Sequence, residues 1–156
     1  MDETTLTKIT AFLARYQTLV LATEDEGQPY ATRIFFVEEP ATATTCRLYG
    51  TLITTSRKLA NLRRNPRAGL FVGPDQPSVW MEATAHARVL DDEASAAEVR
   101  ARLARKSPTA AAFISRVPTA AVELDIDWLR ITDLTGGAPY TEATFGGEPE
   151  PAEQRA

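Results

Sequence analysis

From Ser78 to Leu90 the chain alternates without interruption. Val79, Met81, Ala83, Ala85, Ala87 and Val89 fall on one side, and Trp80, Glu82, Thr84, His86 and Arg88 on the other. A period of two is the signature of a β-strand with one covered face. The first set reads as core, its small residues allowing close approach of neighbouring backbones. The second is polar enough to face solvent, a ligand or a partner subunit. A strand this long needs a sheet around it, so the rest of the chain must supply strands.

It does so in short apolar runs set apart by turn residues. Thr18 to Thr23 suits a buried strand, and Glu24 to Pro29 is a polar turn with Gly27 that returns the chain as a hairpin through Tyr30 to Val37. Arg47 to Gly50, continuing through Ile53, and Arg67 to Gly73 follow, the latter closed by the turn Pro74-Asp75-Gln76-Pro77. Thr119 to Ile126 and Trp128 to Leu134 are the last two strand candidates, with Asp127 between them. Helical spacing is confined to residues 4–16, to the segment after Ser56, to 91–106 and to a turn or two over 109–114. Strands do not alternate with helices, so a parallel nucleotide-binding sheet is not expected. The pattern predicts an antiparallel barrel with a few flanking helices.

The chain holds 156 residues, enough for one domain with a real core. From Gly136 onward Gly, Pro, Glu and Ala dominate, so the expected organisation is one domain over 1–135 and a flexible acidic tail over 136–156, with 146–156 disordered. Tyr140 and Phe145 are candidates to pin part of the tail to the body or to a neighbour. A net charge of −4 argues against a general nucleic-acid binder. No apolar run approaches the ~20 residues that span a bilayer, and the acidic, polar start Met1-Asp2-Glu3 does not resemble a secretory signal. One cysteine, Cys46, excludes an internal disulfide and reads as structural; the expected location is cytoplasmic. With a single histidine as well, no metal site is expected. Gly-rich phosphate loops and a Gly-x-Ser-x-Gly elbow are both missing from the sequence.

Two features carry chemistry. Ser56-Arg57-Lys58 opens a short helix that Leu59 and Leu62 anchor and Asn65-Pro66 stops. A helix start carries partial positive charge and favours Asp or Glu, yet its first two positions here are cations. That is unfavourable by a few tenths of a kcal/mol per charge unless an anion sits there. Free backbone N–H groups, the hydroxyls of Thr54, Thr55 and Ser56, and two cations would make a phosphate cradle; the alternative is a solvated basic helix start. Arg33 is a lone cation in the middle of an apolar strand, where arginine is paired with a carboxylate or a bound anion. His86 lies on a polar strand face with no neighbour in sequence to orient it as a base, and reads as a surface or interface residue.

The order strand–Arg33–strand–Tyr49–Ser56-Arg57-Lys58–Asn61-Leu62–Asn65-Pro66-Arg67 resembles the pyridoxamine 5'-phosphate oxidase-like FMN-binding split-barrel family, over most of residues 5–134. The resemblance implies a mainly β fold, a six-stranded antiparallel Greek-key split barrel with a few flanking helices, a homodimer and one FMN per site at the subunit interface. By that resemblance Arg33 and Lys58 would contact the FMN phosphate with Ser56 and Arg57 beside them. Ile34 and Phe35 would run their backbone along the isoalloxazine ring, and Thr51 or Leu52 would sit where the family's loop reaches the flavin. Trp80 falls where the oxidases use a polar flavin-contacting residue. The loop over Tyr49 to Thr55 is one residue longer than in the true oxidases, and their C-terminal substrate-binding Trp and Arg have no equivalent. Vitamin B6 oxidation is therefore not the expected activity. The expectation is an FMN-dependent oxidoreductase acting on a small substrate that the sequence does not identify. The alternatives are a deazaflavin- or haem-binding split barrel, with His86 the only axial-ligand candidate, or a non-enzymatic flavin store or sensor. No catalytic residue is assigned.

Overall fold

The computed structural model describes residues 1–75 and 78–146. Helix α1 (Glu3–Ala14) starts at Asp2, whose carboxylate accepts the Thr5 backbone N–H at 2.7 Å. Twelve residues alone make a marginal helix in water. Buried Ile9, Phe12 and Leu13 hold it to the barrel, each apolar side chain contributing about 1.5–3 kcal/mol.

Strands β1 (Thr18–Asp25) and β2 (Gln28–Glu38) form the expected hairpin. Its turn places Glu26 and Gly27 at φ of 49° and 83°, the doubly left-handed geometry that matches strand twist. Strand β3 (Arg47–Ile53) leads into helix α2 (Arg57–Arg64), and β4 (Arg67–Val72) and β5 (Val79–Leu90) follow. Helices α3 (Glu93–Lys106) and α4 (Pro108–Ile114) precede β6 (Thr119–Asp133) and β7 (Tyr140–Thr144). The sheet runs β3-β2-β1-β4-β5-β6-β7, every pairing antiparallel, and β3 pairs with β6 to close six strands into a barrel. The mainly β, antiparallel barrel expected from the sequence is present, with β7 added outside the closed ring. No helix among the described residues is long and apolar enough to cross a membrane.

The inward positions of the alternating strands fill the interior: Leu19, Leu21, Ile34, Phe36, Leu48, Leu52, Met81, Leu124, Ile126 and Leu129 are all buried. A second apolar cluster lies between the barrel wall and α3–α4, joining Val37, Tyr49 and Ala121 to Val99, Leu103 and Ala110. Two covered faces explain why β2 is apolar on both sides from Ile34 to Val37. Cys46 is buried in the main core, and burial pushes its thiol up to about 12, as befits a structural residue.

The barrel is not evenly sealed. Strand β3 pairs with β6 along its whole length, from Arg47 to Ile53, but with β2 only at Phe36, Val37 and Glu38. Ahead of Phe36, β2 keeps its partner β1 and has none on the β3 side among the described residues. At the point of divergence Gly50 passes close to β2: a Cβ there would stand 3.0 Å from the Phe35 carbonyl oxygen.

Two expectations are corrected. Residues 119–133 form one strand, because Asp127 is accommodated as a bulge: Thr84 pairs with Trp128 and Ala85 with Ile126, leaving Asp127 extra. Part of the expected flexible tail, 136–146, contributes structure. Strand β7 pairs with β6 from Trp128 to Thr132, and Ala143 and Phe145 enter the core. The physical reason is non-local: burial of Phe145, only 3% exposed, and of Ala143, together with the β6–β7 ladder, offsets the cost of ordering the Gly-rich turn before β7. The rest of that tail, 147–156, and Gln76-Pro77 of the expected turn lie outside the described residues.

Candidate functional site

Where β2 parts from β3, Thr18, Arg33, Ile34, Phe35, Thr51, Ile53, Lys58 and Phe113 line a pocket of about 210 Å³. Strand alternation builds one wall. Ile34 points into the core while Arg33 and Phe35 take the outer face, where the Phe35 ring meets Phe113 of α4 at 5.8 Å between centroids. Thr51, near the end of β3, is 3% exposed, and its Oγ1 has no hydrogen-bond partner. A buried hydroxyl left unpaired costs about 1–3 kcal/mol, so this atom marks a place where a polar group belongs.

Helix α2 supplies the cation. Ser56 caps it as expected, its hydroxyl accepting the Leu59 backbone N–H at 3.4 Å, and no acidic residue occupies the first turn. Lys58 reaches the pocket, and burial lowers its pKa from the ordinary lysine value. Neither Lys58 nor Arg33 forms an ion pair with a carboxylate among the described residues. Two cations, one buried hydroxyl and no acidic residue therefore share one pocket. Such a set has the chemistry to hold an anion, and the planar guanidinium with the point-charge ammonium suits phosphate.

Five of the eight sequence-predicted residues, Arg33, Ile34, Phe35, Thr51 and Lys58, come together here. Ser56 stands at the helix entrance as a cap. Arg57 turns away: its guanidinium stacks over the Tyr30 ring, 5.1 Å from the centroid. Trp80 is on β5, paired with Thr132 of β6 and packed beside Gly73, and does not line the pocket. Thr18, Ile53 and Phe113 are lining residues that sequence reasoning missed. Phe113 carries no sequence signal, since only the packing of α4 brings it to β2. A second pocket of about 260 Å³ adjoins the first through Thr18 and Arg33 and extends along Leu19, Val20, Phe71 and Asp75.

His86 lies elsewhere. It borders a groove on the outer face of β1, β4 and β5, where its Nδ1 stands 3.5 Å from an oxygen of Asp127. Asp127 is the orienting partner that sequence reading did not find, because only the bulge brings it to that face.

No curated protein matches the chain in sequence. Among solved structures, a Clostridium acetobutylicum protein related to general stress protein 26 of B. subtilis, of the pyridoxinephosphate oxidase family, superposes with a TM-score of 0.70 at 13% identity, covering 92% of this chain and 96% of that one. A FAD-binding protein from Mesorhizobium loti gives 0.60 at 19% identity, over 80% and 90%. A heme binding protein from Mycobacterium smegmatis gives 0.68 at 17% identity; the match covers 92% of this chain and 59% of that longer one. At these identities the likenesses establish the shared barrel fold. Residues 5–133, nearly the whole described barrel, match the pyridoxamine 5'-phosphate oxidase family profile, and the chain belongs to that family.

Proposed function

We propose that the Arg33–Lys58 pocket holds the phosphate of FMN and that the protein is a homodimeric, cytoplasmic flavin oxidoreductase acting on a small substrate. The observation that carries this reading is the chemistry of the lining: two cations without carboxylate partners among the described residues and an unpaired buried Thr51 hydroxyl, in one pocket. Lys58 and Arg33 would neutralise the phosphate, while Ser56 keeps the helix start in place and Arg57 stays on Tyr30. Thr51 would donate its hydroxyl hydrogen to the same ligand. Ahead of Phe36, β2 lacks a β3 neighbour, so backbone groups of Arg33 and Phe35, which alternate with those that Ile34 turns toward β1, are available to a flat ring along the seam. Bound there, the flavin would supply hydride transfer, the chain supplying anchoring and electrostatics.

Membership of the family and a FAD-binding structural relative support a flavin. A deazaflavin would use the same anionic end. Haem is less well served: the only histidine, His86, borders a different groove, so haem ligated there would leave both pocket cations unused.

The test is the absorption spectrum of the purified protein, followed by titration with FMN. Yellow protein, or colourless protein that takes up one FMN per chain, supports the reading. Colourless protein that takes up none overturns it. Reduction of the bound flavin by NADH or NADPH, with reoxidation by an added acceptor, separates an enzyme from a flavin store.

A further inference from the structure

The groove beside His86 is larger than the pocket at Arg33 and separate from it. Its volume is about 450 Å³, and no lining residue is shared with the two pockets at Arg33. Its floor is bare because Ala22 of β1 pairs with Gly69 of β4, so nothing larger than a methyl group rises there. Thr23, Glu24 and Pro29 wall one side. At the other end Arg67 and His86, direct partners across β4 and β5, stand side by side.

The polar groups around this floor divide into those already engaged and those not. Glu24 accepts from the Asn65 side chain and from the Gly27 N–H, each at 2.6 Å. Thr23 accepts from Asn61 at 3.0 Å. Asp127, brought to this face by the bulge, accepts from the Thr84 hydroxyl and approaches His86 Nδ1. Arg67 has no side-chain partner among the described residues, and neither has His86 Nε2.

We propose that this groove is a second ligand site, which takes a small planar monocarboxylate. Arg67 grips the carboxylate, since the guanidinium fork matches its two oxygens. The His86 ring, held through Nδ1 by Asp127, closes the same end. The flat body of the ligand lies on Ala22 and Gly69, where area is removed from water on one face. Glu24 and Asp127 also border the groove, each engaged by hydrogen-bond donors of its own. A monoanion therefore meets Arg67 as the one lining charge unengaged among the described residues, while a second negative charge on the ligand would face both acids.

The single histidine of the chain gives one imidazole signal set, a direct reporter. The full-length protein is titrated with benzoate while the His86 ring C–H resonances are followed by NMR. A saturable shift is expected, weakened about tenfold or more by Arg67→Gln. The neutral isostere benzamide should produce none, and Lys58→Ala should leave the benzoate titration unchanged. No saturable shift, equal binding of benzamide, an unaffected Arg67→Gln, or loss of binding in Lys58→Ala each overturns the proposal. Because the flavin reading depends on Lys58 and this one on Arg67, either can fail alone.

Discussion

Lys58→Ala separates a ligand-binding cation from a structural one by moving two quantities in opposite directions. In the protein without ligand, the ammonium is partly desolvated, its pKa lowered by burial, with no carboxylate partner among the described residues. It also stands in the first turn of α2, where a cation opposes the helix dipole by about 0.3–1 kcal/mol. Alanine removes both penalties and is a better helix former, so the unliganded variant should be as stable as the parent or more so. With FMN bound the same change deletes a charge-assisted hydrogen bond of roughly 1.5–3 kcal/mol, so the FMN Kd should rise about 10- to 150-fold. Flavin fluorescence quenching reads the Kd, and urea unfolding of the unliganded protein reads the stability. The pH dependence has a definite sign. With the folded-state pKa below the unfolded one, the penalty is fully present while Lys58 is charged in both states. It lifts as pH rises from the lowered folded value to the ordinary lysine value, so the parent gains on Lys58→Ala only in that alkaline window. A Kd within twofold of the parent, or a loss of stability as large as the loss of affinity, would refute this reasoning.

Thr51→Val replaces the unpaired buried hydroxyl by a methyl group; thermal unfolding should show the unliganded protein stabilised by about 1 kcal/mol, while the FMN Kd rises several-fold. Phe145→Ala should cost about 3–5 kcal/mol in urea unfolding, because the ring is buried in the main core; a cost under about 1 kcal/mol would mean that β7 is not part of the cooperative fold. Glu24 has its carboxyl held below the usual range by the Asn65 amide, then by the Gly27 N–H. Its contribution is therefore present above the unfolded carboxyl pKa and lost as pH falls through the lower folded one, and Glu24→Gln should flatten that acid limb of a stability–pH profile.

Much of this architecture is written locally. The alternation from Val79 to Val89, the Glu26-Gly27 turn and the Ser56 cap each depend on a few neighbouring residues, and each appears in the fold as the spacing implies. What the spacing did not reveal depends on pairing between distant segments. Asp127 reads as a break between two strands, because a bulge and an interruption look the same until the partner strand is placed; β5 pairs on both sides of it and makes one strand. The Gly-rich turn at 136–137 reads as the beginning of a tail that Tyr140 or Phe145 could pin, and only the core space that Phe145 fills, with Tyr140 left exposed, shows which of them does so. The unpaired Thr51 hydroxyl is equally non-local, being defined by what fails to reach it.

Arg57 and Lys58 show how far helix geometry alone can sort two adjacent cations. Successive residues on an α-helix point about 100° apart, so the two cannot face one pocket equally. Side chains three and four positions on share a face. For Lys58 those are Asn61 and Leu62, both buried, which puts Lys58 on the side of α2 that packs against the barrel. For Arg57 they are Ala60, exposed, and Asn61, so Arg57 stands at the flank and finds the Tyr30 ring instead. The buried stripe of Leu59, Asn61 and Leu62 thus selects Lys58 for the pocket, a selection made within the helix itself. What remains non-local is the second cation. Arg33 meets Lys58 because β2 loses its β3 neighbour ahead of Phe36, and that divergence is set by β3 pairing fully with β6 instead. The proposed anion site is therefore a consequence of barrel closure: the seam where the ring of strands is incomplete is where two cations, without carboxylate partners among the described residues, line one pocket.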